Sequence, residues 1–182
     1  MIQDAPSARS KSGVIPRSTP VAPSIGEQRT AFPILRRSSE GRLLSAARYR
    51  NGESFFLGIE KLRFAVPSDL LYQSGIVAQM ALSSHLLDVG FDDRWCARNI
   101  GLHIGKALAY ANATGLNYHS PSLEWLAPVL SPYNVWRNPD LDGSRPPAPE
   151  LLPDIPPLLR ELLDHVRGVT GHPRPRRRKA HG

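Results

Sequence analysis

Two histidines and an aspartate are the residues whose types could hold a metal. His85 and Asp88 lie three residues apart, on one face if their segment is helical, and His103 is placed to approach from a neighbouring helix. Facing helices do supply such ligands in bundles, but with paired Glu-x-x-His motifs. No second pair of that kind stands beside this one. The expectation is therefore no metal and no cofactor, with His85 making a polar contact between helices.

Cys96 is the single cysteine, which excludes an internal disulfide and a multi-cysteine zinc site. His103 follows it by seven residues, two helical turns or roughly 10 Å, beyond hydrogen-bond reach. A buried, inert thiol is expected. Asp92 and Asp93 fall at a helix start, where carboxylates serve as caps. Gly101 and Gly105 sit within an expected helix, not ahead of one, so they do not form a phosphate loop. No nucleophile, base and oxyanion site assemble from these residues, and no catalytic residue is expected.

The elements that would position these groups lie in a proline-free run from Ser68 to Ser120; all 18 prolines fall before or after it. Proline removes a backbone donor and clashes with the preceding turn, so packed helices belong in such a run. Pro67 stops the element before it, Ser68 and Asp69 suit a helix start, and Gly90 suits its left-handed stop. Leu71, Ala78, Leu82, Leu86 and Val89 line one face of this helix; Tyr72, Ile76, Met80 and Leu87 line another. A helix apolar on two faces must be covered on both.

A second helix is expected over 93–113, capped by Asp92, with Phe91 stapled onto Cys96. Cys96, Ile100, Ile104, Leu108 and Ala111 form its apolar face, and Ala97, Gly101, Gly105 and Ala109 a row of small residues beside it. Glycine costs about 1 kcal/mol relative to alanine inside a helix, so Gly101 and Gly105 suggest close approach of another backbone and are candidate interaction residues. Read as a helix-turn-helix, this pair has only Arg94, Arg98 and Lys106 to meet DNA, and a packed antiparallel hairpin is favoured.

Upstream, residues 42–66 suggest two short elements divided at Asn51-Gly52. Downstream, Tyr118, Trp125, Tyr133 and Trp136 are interspersed with prolines. They suit a short helix from Pro121 to Ala127 in a segment wrapping the central helix. Farther on, Asp154 can cap a helix entered through Pro156 and Pro157. Leu158, Leu159, Leu162, Leu163 and Val166 occupy one side of it, fit to dock on its own core or in another protein's groove.

The expected fold is all-α. Its helical core spans 41–137 on a long antiparallel hairpin. A Pro-rich linker (138–155), an amphipathic helix (156–168) and disordered basic Pro-rich ends (1–40 and 169–182) complete it.

Net charge is +7 and unevenly placed: residues 1–50 carry nine Lys/Arg against three Asp/Glu, and residues 51–140 six against eight. Arg174, Arg176, Arg177, Arg178 and Lys179 gather in the tail with no acidic residue from 171 onward. These five are candidate phosphate contacts. Leu70 to Leu87 lacks charged residues, yet Gln73, Gln79, Ser83, Ser84 and His85 interrupt it, and no membrane span is expected. The N-terminus lacks the apolar stretch of a secretory signal, and a cytoplasmic location is expected.

Composition and motifs point to a non-enzymatic helical interaction module, self-associating or binding a protein partner. The alternative is a nucleic-acid-associated accessory protein that uses its basic ends for sequence-independent contacts.

Overall fold

The computed structural model describes residues 33–61, 66–143, 147 and 149–174. The expectations placed on residues 1–32 and 175–182, including Arg176, Arg177, Arg178 and Lys179, lie outside these. Among the described residues the chain is all-α, without a strand.

Helix α1 runs Ser39–Lys61, with Glu40 in its first turn and Lys61 in its last, each suited to the helix dipole. The Ser38 hydroxyl accepts from the Gly41 N–H at 3.0 Å. The helix passes through Asn51-Gly52 without a break, so the expected pair of short elements is one helix. Packing explains the glycine: a Cβ at Gly52 would stand 3.2 Å from Met80 Cβ and 3.3 Å from Leu163 Cδ2. Gly52 is where two neighbouring helices close on α1.

Helix α2, Pro67–Val89, starts with proline in its first turn and Val66 as the N-cap residue, two residues earlier than the expected Ser68 cap. Gly90 ends it at φ 109°, with its N–H on the Leu86 and Leu87 carbonyls. The backbone of Arg36 crosses so close that a Cβ on Gly90 would meet it at 2.6 Å. Arg42 pairs with Asp88, Ser45 with Ser84, and Gly52 faces Met80, so α1 and α2 run antiparallel. Leu71, Val77, Ala78, Ala81 and Leu82 are fully buried, which places α2 at the centre.

The expected helix 93–113 is instead two helices, α3 (Asp93–Asn99) and α4 (Ile104–Ala113). Gly101, at φ 60°, takes the left-handed conformation that ends a helix, and its N–H bonds the Cys96 carbonyl. Gln79 Nε2 donates to the Gly101 carbonyl at 2.9 Å, fixing this corner to α2. The row of small residues is therefore divided, and Gly105 is exposed on α4. Asp92 caps α3 as expected, accepting from the Trp95 N–H. Phe91 packs its ring on Trp95 and Tyr110.

Helix α5, Pro121–Val129, is capped by the Ser120 hydroxyl on the Leu123 N–H. A 3-10 turn, Tyr133–Arg137, then covers α2. The Tyr133 hydroxyl donates to Gln79 Oε1, and Trp136 Nε1 donates to the Val129 carbonyl. The stretch expected as a linker contains a single helical turn, α6 (Pro139–Asp142), and a 3-10 turn, Pro149–Asp154.

Helix α7, Ile155–Thr170, follows directly; Asp154 precedes it without making a side-chain cap bond. Its Leu159, Leu162, Leu163 and Val166 are fully buried in the core, and Leu158 is half-buried. At roughly 1.5–3 kcal/mol for each large apolar side chain, these four contribute about 6–12 kcal/mol before entropy. That is comparable with the net stability of a whole domain, so α7 is an integral part of this one. No helix among the described residues is long and apolar enough to cross a membrane.

Candidate functional site

The candidate metal residues do not converge. His85 is buried against Thr114, its Nε2 3.4 Å from the Thr114 hydroxyl; burial holds its pKa below the ordinary imidazole value. Asp88 is turned to Arg42, with Arg37 at 4.0 Å. His103 is exposed at the start of α4. Among the described residues, no three His, Cys, Asp or Glu side chains form a ligand group. Burial, with Asp93 and Asp92 adding, pushes the Cys96 thiol up to about 12, so it stays protonated and unreactive.

A polar cluster instead locks α7 to α1. Glu53 accepts two hydrogen bonds from Arg160, at 2.8 and 2.7 Å, and one from the Tyr49 hydroxyl. Burial alone would raise the Glu53 pKa; the bonds from Arg160 and Tyr49 outweigh it and hold the carboxyl below its usual range. Arg160 also lies over the Phe56 ring, 5.0 Å from its centroid, and pairs with Asp164. Arg174, expected as a phosphate contact in a disordered tail, is engaged with Asp164 at 2.6 Å. Nearby, His172 is buried with Nε2 2.6 Å from the Ser45 hydroxyl, which itself donates to the Ser84 carbonyl. The chain is thus anchored to the core past the end of α7.

A groove of about 690 Å³ opens where the start of α5, the 3-10 turn Pro149–Asp154 and the first turns of α7 meet. This volume falls within the range of ligand sites. Trp125, Leu151 and Leu158 give it apolar walls, with Pro121 and Pro157 beside them. Trp125 is 48% and Leu151 39% exposed. Asp154 and Glu161 are its charged lining residues, and among the described residues no Lys or Arg lines it.

Tyr118 is 4% exposed, and its hydroxyl is buried at the edge of the groove. Burial raises its pKa, and Ser120 and Glu161, both in the groove lining, stand near enough to affect it.

The sequence suggested that the segment carrying Trp125 wraps the central helix, as Tyr133 in its 3-10 turn does. On α5, however, Leu123, Leu126 and Ala127 are the buried residues. At about 100° per residue, Trp125 points roughly opposite Leu123, a signal present in the spacing. Leu158 does reach the groove, whereas Leu159, Leu162, Leu163 and Val166 face the core, and Gly101 and Gly105 do not line it.

No protein-family model, curated protein or solved structure matches the chain.

Proposed function

We propose that this protein is a non-enzymatic interaction module that binds a partner protein through the groove between α5 and α7. The observation that carries this reading is Trp125, a large aromatic side chain left half exposed beside Leu151 in a concave site. Tryptophan is enriched among the residues that dominate binding energy at protein interfaces. Leu123, Leu126 and Ala127 on the opposite face of α5 already seal the core, which leaves the exposed half of Trp125 free for a partner. The row of small residues and the apolar side of α7, both candidates from sequence, give less support. One is divided by the Gly101 corner, and the other is buried within the chain.

Selection of a random peptide library on the immobilised full chain tests the reading. Recovered peptides should bind the Trp125→Ala variant about 30-fold or more weakly, the loss of a 2 kcal/mol hot spot. Sedimentation of the same two proteins reports whether the occupant is a second copy, through a dimer lost with Trp125. Peptides indifferent to Trp125, with no such dimer, reject the groove as the site. The nucleic-acid reading keeps its basis in Arg176, Arg177, Arg178 and Lys179, with Arg174 occupied by Asp164.

A further inference from the structure

Resting on that reading of the groove, we propose that its occupant is a short extended segment of a partner protein, with basic residues three positions apart and proline or other apolar residues between them. The first argument is charge. Glu53, Asp88, Asp93 and Asp164 are each met by an arginine. Asp154 and Glu161 are exposed and pair with no cation among the described residues, and both line the groove. In a chain of net charge +7, the groove is a local acidic site. A cationic segment complements it; an acidic one is repelled.

Geometry sets the spacing. Asp154, the residue that leads into α7 with helical backbone angles, and Glu161 are seven residues apart, which at helical rise puts them on one side roughly 10 Å apart, with Leu158 between. A polyproline II segment repeats every three residues, about 9.3 Å. Basic residues at positions i and i+3 then meet the two carboxylates while the residues between lie on Leu158 and Trp125. Proline-rich segments dock in grooves with aromatic walls because they are already extended and lose little entropy on binding. Arginine suits the site better than lysine, since its planar guanidinium stacks on an indole while donating to a carboxylate.

The experiment measures fluorescence anisotropy of a labelled peptide, Arg-Pro-Leu-Arg-Pro-Leu-Pro, on the full chain. A second peptide has citrulline at both arginine positions. The proteins are the unsubstituted chain, Trp125→Ala, and the double variant Asp154→Asn/Glu161→Gln. The exchanged carboxylates are exposed, and thermal melting confirms that each variant folds. The arginine peptide should bind several-fold to about 20-fold more tightly than the citrulline peptide, as two exposed ion pairs allow. The double variant should remove that preference, and 0.5 M salt should shrink it. Equal binding of the two peptides overturns the inference. So do library peptides that depend on Trp125 yet carry no basic residue or bind as helices; these leave the interaction module standing. Absence of any Trp125-dependent binding overturns both.

Discussion

Arg160 ties α7 to α1 through several contacts at once. It donates twice to Glu53, which is 4% exposed, covers Phe56 and pairs with Asp164. Removing one partner of a buried pair costs about 3–5 kcal/mol when the other charge is left alone; here Arg174 Nε, 3.9 Å from Glu53 Oε1, keeps part of the compensation and sets the loss at the low end. Arg160→Met should therefore destabilise the fold by roughly 3 kcal/mol in urea denaturation. Adding Glu53→Gln should recover part of the loss, because the stranded charge is gone; equal losses in the single and double variants would refute this account of the pair.

Histidines set a second, pH-dependent contribution. Burial holds both His85 and His172 below the ordinary value of 6.5, with Asp88 opposing the shift in each. The folded state favours the neutral rings, so the unfolded state binds more protons as pH falls. Their stabilisation is present above about pH 6.5 and is lost as pH drops toward the lower folded values. Glu53 acts in the same direction at more acidic pH, below the ordinary carboxylate range. Stability should fall between pH 7.5 and 5.5, and His172→Gln should flatten that dependence; an unchanged slope would show that His172 does not contribute.

At the scale of elements, glycines separate the two ways a small residue serves a helix. Gly58 lies in α1 with nothing within 4 Å of a Cβ built on it, so Gly58→Ala should stabilise by about 0.5–1 kcal/mol through helix propensity. A Cβ on Gly75 of α2 would fall 2.1 Å from Tyr133 Cβ, and Gly75→Ala should cost about 1–3 kcal/mol by displacing the 3-10 turn. Thermal melts of the two variants should move in opposite directions. The same distinction explains which elements were legible. Gly90, the Asp92 cap and the helix start at Pro121 could be read from sequence because stops and starts are local chemistry. Gly52 and Gly101 misled because a glycine can mark a turn or a close contact. Sequence favoured a turn at Gly52, where Met80 and Leu163 demand space, and a helix at Gly101, where Gln79 holds a left-handed corner.

At the scale of the whole molecule, sequence showed an all-α chain with a buried central helix but not the groove. The groove arises where α5 meets a 3-10 turn and α7 from about 30 residues farther along the chain. Its walls are side chains left over once Leu123, Leu126, Leu159 and Leu162 have entered the core. The central claim is that these remaining side chains, Trp125 foremost, receive a partner. The chain has three tryptophans, Trp95, Trp125 and Trp136, so indole N–H resonances of the full chain report directly on the claim. Titrated with a library-selected peptide, the Trp125 indole should shift while that of Trp136, buried and bonded to Val129, stays in place. A Trp125 resonance that does not respond while another indole moves would contradict the account.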